Sequence, residues 1–507
     1  MSSSLKIINE IEHSTDVEDW KYSNIYLWPL YRFYIHEKLR EESTKINLQK
    51  KFRIQVLFKS IFNLKNIFKA IYSILNSSKK EVVFLTNSSF KRFQNKNKWF
   101  DPYCYPVIDD LNKLKITSDV LELDLLGDGS RGNGTISSIK IQSLIDFLYF
   151  FLMPLYAIKF YFSLLFMPIS IKNRFSSKLN KILAKKEIDL VLPKDHFFFK
   201  QLINIKIKAL IYKVILKRFN TRIGVMVGYG SQDGLSFCLA CRYLNIRSIE
   251  LQHGMISEEM PRYAKWSKVP KNGYELMPKI FWCWSQSERD HIYDWIDHKS
   301  FNRVEINGNI FLENYSEYID NQSTKIQENL AKKTKNYHKI ILVALQHKEW
   351  EPDWLFNEIS RFDKEVFWLL RFHPADKNKS NRITELEAFF NSINFINYDI
   401  RYINDPSMNI LNSIDISHGV VSAFSSSLIE ATFLRKEVGI IHKEGINHLR
   451  RYIDDKLMYS AYSPELFKNF VQQVLEQDFL ANNYKTNKAS DGLYRIRNLF
   501  KDKEIKD

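Results

Sequence analysis

The stretch RIGVMVGYGSQDGLSFCLACRYLNIRSIELQHG, Arg222 to Gly254, decides the fold class. Ile223–Val227 and Arg247–Leu251 are short apolar runs typical of buried strands, and residues 234–244 between them follow a helical pattern. A glycine-containing polar loop, 228–233, joins the first strand to the helix. The order strand, helix, strand predicts one unit of a parallel sheet with helices on its faces.

The same alternation extends to both sides of this unit. EVVFLTNSS from Glu81 and EIDLVLPKD from Glu187 look like strands followed by polar loops. A second series follows Gly308, with strands in KIILVALQ, EVFWLLRFHP, DISHGVVSAFSSSLIEATF and EVGIIHKEG. We therefore expect an α/β protein with two Rossmann-like domains facing across a cleft and helical, basic and apolar additions at the N-terminus.

The expected domain boundaries follow from these changes of pattern. Residues 1–79 form a helical basic segment, and 80–306 a Rossmann-like acceptor domain with an apolar insertion near 143–171. Residues 336–480 form a second Rossmann-like domain for a nucleotide-sugar, after a polar linker, and 481–507 a terminal helix.

The positive charge is concentrated in the first part of the chain. Of the 507 residues, 1–220 hold 36 Lys and Arg against 20 Asp and Glu, whereas 221–507 hold 38 of each. Within 45–75, apolar residues recur at helical spacing with lysines between them, as in a helix that lies in a lipid interface; a core helix with solvated lysines fits equally well. No nucleic-acid-binding signature accompanies the charge, so an anionic membrane surface is the expected partner, and nucleic acid is not.

A second apolar stretch, 147–171, contains Pro154 and Pro168 and is cut by Lys159 into parts of 12 residues. Each part is shorter than the ~20 residues needed to span a bilayer. We expect this stretch to be buried or to touch the membrane. The N-terminus lacks a signal-peptide pattern and the chain has four cysteines, so we expect a reduced cytoplasmic protein at the inner face of the cytoplasmic membrane. Cys238 and Cys241 form a lone CxxC without a second ligand pair, which disfavours zinc.

Polar residues follow the strands of the second series. Ser425, Ser426 and Ser427 start a helix, whose N-terminus is a natural seat for phosphate, and Glu430 lies one turn further, in reach of ribose hydroxyls. Alternatively, one serine caps the helix and Glu430 completes a capping box.

Arg371, His373 and Pro374 end another strand of this series. Because the carboxyl ends of parallel strands share one edge of the sheet, the arginine and the histidine would bind the same phosphate as the serines. For His373 a purely structural role fits as well.

In the first series, Asp233 and His253 follow two neighbouring strands. Both are candidate bases for removing a proton from an acceptor hydroxyl, although Asp233 also suits an N-cap. Gln252, Glu258 and Tyr263 flank the histidine in sequence and are candidates for binding the acceptor.

QHG after one strand, RFHP after another and SAFSSSLIEA near the end, in this order, resemble motifs of the GT-B glycosyltransferases of bacterial capsule and lipopolysaccharide assembly. The nearest branches are the polysialyltransferases, the capsular Kdo transferases and the teichoic-acid glycerophosphotransferases. The resemblance covers roughly Arg222 to Gly445.

The resemblance implies a role for each matching residue. His373-Pro374 and the serine cluster would hold the nucleotide phosphate. The acidic-acidic-Gly motif of the polysialyltransferases is matched in part by Gln232-Asp233-Gly234, and the Trp-His-Gly of the glycerophosphotransferases by Gln252-His253-Gly254. Asp233 and His253 therefore both remain candidate bases.

The implied activity is transfer of a sugar from a nucleotide-sugar, CMP-linked and of the Kdo or nonulosonate type, to a glycan or lipid-linked acceptor in surface polysaccharide synthesis. This layout requires no metal and no cofactor. Alternatives are a transferase of polyol phosphate from a CDP-polyol and a non-catalytic membrane assembly protein. A nucleotide-sugar epimerase is a further possibility, but it has no evident use for the basic, apolar first 220 residues.

Overall fold

The protein divides into two compact units in a computed structural model. Unit 1 comprises Met1–Phe311 and Ala489–Asp507, and unit 2 comprises Leu312–Lys488. The structure describes residues 3–44, 63–95, 98–124, 134–166, 173–257, 260–296, 301–315, 325–346, 348–362, 364–373, 376, 378–405, 408–477 and 496–500.

Unit 1 is built on a parallel sheet of seven strands. The strands of the unit are β1 (Lys21–Tyr22), β2 (Ile25–Tyr26), β3 (Val82–Asn87), β4 (Phe93–Asn95), β5 (Lys98–Phe100), β6 (Ser118–Leu123), β7 (Ile139–Lys140), β8 (Ile223–Val227), β9 (Arg247–Leu251), β10 (Ile280–Cys283) and β11 (Arg303–Ile306). The large sheet has the order β11-β10-β9-β8-β3-β6-β7, and β1-β2 and β4-β5 are separate antiparallel pairs.

Helices cover this sheet. They are α1 (Ser3–Ser14), α2 (Trp28–Thr44), α3 (Leu64–Asn76), α4 (Tyr105–Lys113), α5 (Gln142–Phe166), α6 (Arg174–Lys185), α7 (Asp195–Phe219), α8 (Gln232–Tyr243) and α9 (Gln286–Tyr293). α8 lies close to β8 because Gly224 has no side chain: a Cβ there would stand 2.6 Å from the Cys241 sulfur. The strand–helix–strand unit expected at 222–254 is confirmed in both its elements and its parallel pairing.

Unit 2 is a second parallel sheet with helices. After α10 (Ile310–Glu313), which contains the boundary, its helices are α11 (Lys325–Thr334), α12 (Leu355–Ile359), α13 (Lys379–Ser392), α14 (Ile410–Asp415), α15 (Ser427–Phe433), α16 (Lys443–His448), α17 (Arg450–Asp454) and α18 (Pro464–Glu476). Its strands are β12 (Lys339–Leu345), β13 (Val366–Phe372), β14 (Tyr398–Asp399), β15 (Gly419–Ser422), β16 (Glu437–Ile440) and β17 (Tyr459–Ser460), in the order β14-β13-β12-β15-β16-β17. The two Rossmann-like sheets expected from the sequence are therefore present, as is the helical N-terminal region.

The segment EIDLVLPKD is not a strand, and that expectation was wrong. Residues 188–194 connect α6 to α7 without joining the sheet. The backbone of this segment forms hydrogen bonds with a side chain instead of with a strand. The Leu192 amide donates to Asn180 Oδ1 at 2.8 Å, and the Asn180 side-chain amide donates to the Leu192 carbonyl at 3.4 Å. Leu190 and Leu192 are buried, which explains the apolar pattern.

The apolar stretch near 147–171 is not divided at Pro154 or Lys159, as the sequence had suggested. A single helix, α5, runs through both positions. Within the described residues, Gln142–Ser163 is the one helix long and apolar enough to cross a membrane by length and composition, and 28% of it is buried against the protein. Pro168 lies outside the described residues, as do residues 45–62 of the other apolar segment.

The N-terminal helices are an integral part of unit 1. The carboxylate of Glu12 in α1 binds the guanidinium of Arg32 in α2, and both side chains are fully buried. Trp28 donates to the same carboxylate at 2.7 Å, and Arg32 also donates to the carbonyls of Pro261, Ala264 and Lys265. The aromatic-rich sequence at the start of α2 is thus explained by packing, and Trp28, Tyr31 and Trp266 are buried in the core and unavailable to a sugar.

Candidate functional site

The carboxyl ends of β3, β8, β9 and β10 form one edge of the sheet in unit 1. His253 lies in the loop that follows β9, beside the turn that follows β8. Gly228 in that turn has φ +78°, and a Cβ there would lie 3.8 Å from His253 Nε2. The absence of a side chain at Gly228 keeps the space beside the imidazole open.

The imidazole of His253 is surrounded by aromatic rings and cations. Its centroid lies 5.2 Å from that of Phe90 and 6.2 Å from that of Tyr103, and both rings stand nearly edge-on to it. The side chain is partly exposed although its Nδ1 is buried. Burial, with Arg262 and Arg92 as further causes, lowers the pKa of His253 to about 4. The imidazole is therefore neutral at physiological pH, as a proton acceptor must be.

Arg92 and Arg262 are site residues that the sequence did not suggest. The Arg92 guanidinium lies 5.1 Å from the centre of the Tyr103 ring, and Arg262 Nη2 lies 3.5 Å from the carbonyl oxygen of Gly230. Both act on His253 through their charge, which places two cations around the imidazole. A positive edge of this kind suits an anionic ligand. No local motif marks either arginine; only the fold brings them together.

Asp233 is held in a buried ion pair. Both of its carboxylate oxygens accept from Lys208 Nζ at 2.9 Å, and Oδ1 also accepts from the Tyr212 hydroxyl at 2.9 Å. The expected capping role belongs to Ser231 instead, whose hydroxyl accepts from the Gly234 amide at 3.0 Å. Asp233 therefore ties α8 to α7, and its oxygens face partners within the protein rather than a substrate.

Gln252 and Tyr263, both expected at the acceptor, are buried. Gln252 accepts from the Trp284 amide at 2.7 Å and donates to the Gly254 carbonyl and to Glu288, so it fixes the loop after β9 to the end of β10. Tyr263 donates to Glu250 at 2.8 Å. The two side chains hold the His253 loop and its strand in place. The third candidate, Glu258, lies outside the described residues.

Glu250 is a further carboxylate beneath this edge, within β9. Its Oε1 accepts from the Tyr229 amide at 3.1 Å and from the Tyr263 hydroxyl. The side chain is 2% exposed, and burial raises its pKa to about 7. The signal for it in the sequence was a carboxylate between two aliphatic residues of β9, Ile249 and Leu251.

We expect Glu250→Gln to change how stability depends on pH. The pKa of Glu250 rises from 4.5 in the unfolded chain to about 7 on folding, so between these values the folded state binds more protons. The free energy of unfolding of the parent chain should therefore fall relative to that of the variant as pH rises through this window, by about 1–3 kcal/mol. Urea denaturation of both proteins at about pH 5 and about pH 8 measures this. A difference that does not change with pH contradicts the assignment.

In unit 2 the serine cluster lies at the carboxyl edge of β15, before α15. Ser425 Oγ accepts from the Ser427 amide at 3.3 Å and lies 2.8 Å from Ser427 Oγ. Ser426 makes no side-chain cap, and no capping box involving Glu430 is formed. Ser425 and Ser426 are partly exposed, whereas Ser427 and Glu430 are buried. The accessible hydroxyls of the edge are thus the first two.

The guanidinium of Arg371 and the imidazole of His373 are not both available to one ligand. The Arg371 guanidinium donates to the carbonyls of Ile403 and Met408 and to the Ser413 hydroxyl, so it holds the chain before α14. Burial lowers its pKa to about 10. His373 is exposed at the end of β13, and Pro374 lies outside the described residues.

A group of aromatic side chains that the sequence did not suggest occupies the same edge of unit 2. Phe424 follows β15, and its ring packs edge-on against Trp350 at 4.7 Å and parallel to His448 at 5.6 Å. Trp350 also meets His442, which follows β16, at 5.4 Å. The Phe424 amide donates to Gln346 Oε1 at 3.1 Å, which fixes this loop to the end of β12. All four rings are partly exposed and offer flat faces to a planar ligand.

No family model matches the sequence, and no curated protein matches it. Solved structures do superpose. The UDP-GlcNAc 2-epimerase of Methanocaldococcus jannaschii has 10% identity, a TM-score of 0.48, and coverage of 82% of this chain and 99% of its own. The enzyme of Neisseria meningitidis bound to UDP-GlcNAc has 11% identity, a TM-score of 0.44, and coverage of 78% and 91%. The wall teichoic acid polymerase TagF has 11% identity, a TM-score of 0.39, and coverage of 89% and 94%. Likenesses this distant carry no information about the ligand of this chain.

Proposed function

We propose that the protein is a glycosyltransferase that moves a sugar from a nucleotide-sugar, CMP-linked and of the Kdo or nonulosonate type, to a glycan or lipid-linked acceptor in surface polysaccharide synthesis. The observation that carries the proposal is His253. It is a neutral imidazole at the carboxyl edge of a parallel sheet, where ligands of such folds bind, and the charges of two arginines act on it.

In this proposal His253 is the base of unit 1. A neutral imidazole accepts the proton of the acceptor hydroxyl as its oxygen forms the new bond to the anomeric carbon. Arg92 and Arg262 would attract an anionic acceptor, whose negative charge would offset theirs and raise the pKa of the imidazole towards the range of a general base. Asp233, the other candidate, is supported less well because Lys208 and Tyr212 occupy its oxygens.

Unit 2 would hold the donor nucleotide. The exposed His373 follows β13, and the accessible hydroxyls of Ser425 and Ser426 follow β15. These strands lie on either side of β12 in one sheet, and at their carboxyl edge the three side chains would bind the phosphate that leaves with the nucleotide. The aromatic group of Trp350 and Phe424 supplies faces on which a base would stack.

Transfer of polyol phosphate from a CDP-polyol is the second candidate. Two side chains favour it. The motif around His253 resembles that of the glycerophosphotransferases. Asp233, which would match the motif of the polysialyltransferases, is instead used in an ion pair. In that reaction the acceptor oxygen attacks phosphorus, and the cytidine phosphate leaves.

Nucleotide binding tests the donor site. We expect CMP to raise the melting temperature of the purified protein more than UDP or GDP, and His373→Ala to reduce that rise because the phosphate loses a contact. His338→Ala is the matched control, since His338 is also exposed but precedes β12 at the opposite end of the strands.

The outcomes separate the candidates. Stabilisation by CMP supports a cytidine-linked donor for either candidate, because CMP is released in both reactions. Transfer assays with a CMP-linked sugar and with a CDP-polyol then separate the two. A preference for UDP or GDP contradicts the CMP-linked donor. If none of the three nucleotides stabilises the protein, or His338→Ala weakens the effect as much as His373→Ala, the donor site described above is wrong.

A further inference from the structure

Exposed apolar side chains of unit 1 are concentrated on α3 and α5. On α3, one stripe along the helix is exposed: Leu64, Phe68, Ile71, Tyr72 and Leu75. The residues that α3 buries against the protein, Ile67, Ala70 and Ile74, form a different stripe. α3 therefore has two apolar sides, of which the protein covers one.

The outer side of α5 is apolar over most of its length. Its exposed large side chains are Phe150, Phe151, Met153, Leu155, Ile158, Tyr161, Phe162, Leu165 and Phe166. Phe160, in contrast, is 4% exposed and joins the core. α3 and α5 pack against each other and against α7, and the exposed apolar residues of these two neighbouring helices are together called here the apolar surface.

The apolar surface is too large to be incidental. Of 20 large apolar side chains that are exposed in the described residues, 14 belong to these two helices. Single exposed apolar residues are ordinary, but contiguous apolar patches mark a partner or a membrane.

The charges around the apolar surface indicate which kind of partner it binds. Exposed lysines, Lys65 and Lys69 on α3 and Lys159 on α5, lie among the apolar residues. The only acidic residue of either helix is Asp146 on α5, and it is buried. On α7, Arg218 donates to the carbonyl of Leu75 at the end of α3, which adds a cation there. Apolar residues bordered by cations, with no exposed carboxylate on the two helices, complement anionic lipid headgroups above a hydrocarbon layer.

We propose that the apolar surface of α3 and α5 binds the protein to an anionic lipid bilayer, with both helices lying in the interface. A spanning orientation of α5 is disfavoured by its first turns, because Leu144 and Ile145 are buried in the core of unit 1. From Phe150 to Phe166 the helix has 17 residues, or roughly 25 Å at 1.5 Å per residue, which is less than the ~30 Å thickness of the hydrocarbon core. α7 also packs against α5.

Vesicle flotation of the full chain tests the proposal, independently of any transfer activity. We expect binding to vesicles of phosphatidylcholine with phosphatidylglycerol, and weaker binding to phosphatidylcholine alone. Phe68→Glu and Leu165→Glu should each lower the partition coefficient about tenfold or more, since each replaces an inserted apolar group by a charge that anionic lipid repels. Ile396→Glu is the matched control, because Ile396 is 78% exposed but lies in unit 2.

Light scattering on the same proteins tests whether a second copy of the chain covers the apolar surface instead. The proposal is overturned if the parent protein does not bind the anionic vesicles, or if binding is unchanged in both α3 and α5 variants. A dimer that Phe68→Glu dissociates, without vesicle binding, would assign the surface to self-association instead. If nucleotide still raises the melting temperature of the variants, the variants are folded.

Discussion

His253→Asn is expected to lower kcat of the transfer reaction by about 10²–10⁴-fold, the usual contribution of a positioned general base. Asparagine is polar and similar in reach but cannot accept the proton. Because the imidazole lies at the edge of the sheet and is partly exposed, its loss should change the free energy of unfolding little. The assay uses the donor selected by nucleotide binding and compares His13→Asn, an exposed histidine of α1.

The pH profile distinguishes this role from a structural one. The pKa of His253 is lowered to about 4, so the base stays unprotonated down to that region. We expect kcat/KM of the parent enzyme to remain high as pH falls below the ordinary histidine value of 6.5 and to fall only towards pH 4. Unchanged turnover in His253→Asn, or an equal loss in His13→Asn, contradicts the assignment.

Asp233→Ala is expected to lower the free energy of unfolding by about 3–5 kcal/mol, because it leaves the Lys208 ammonium buried without its carboxylate. The side chains of Lys208 and Asp233 are 10% and 6% exposed, so water cannot replace the lost partner. The Tyr212 hydroxyl loses its acceptor as well. Urea denaturation of the parent and the variant measures the effect.

A double variant, Lys208→Met with Asp233→Leu, separates stability from catalysis. Replacing both charges by apolar groups of similar size should recover most of the lost stability, since neither charge is then left unpaired. We expect this protein to retain transfer activity. A stable but inactive double variant would return the role of base to Asp233.

The strands of both sheets were predictable where their residues are uniformly apolar. β8, β12 and β13 carry runs of mostly apolar, buried side chains between polar loops, and the sequence pattern alone located them. β6, in contrast, reads SDVLEL, and its charged residues hid a strand that lies beside β3. Residues 188–194 were the opposite case, since their apolar side chains pack in the core while Asn180 satisfies the backbone.

The candidate site was less predictable because the partners of its side chains are distant in sequence. Lys208, which neutralises Asp233, lies on another helix 25 residues earlier, and the carbonyls that bind Arg371 lie more than 30 residues after it. Arg92, whose charge acts on His253, lies more than 150 residues before it in the sequence. The position of a residue directly after a strand indicated that it lies at the edge of the sheet. Only the fold shows which of these side chains are already bound to partners within the protein.

The division of the chain has a consequence for biosynthesis. Unit 1 is interrupted by the whole of unit 2, and its last described residues, Ile496, Leu499 and Phe500, are buried in it. The carbonyl of Leu499 accepts from Arg247 at the start of β9. During translation, the segment that contains Leu499 therefore reaches Arg247 only after the whole of unit 2 has been synthesised.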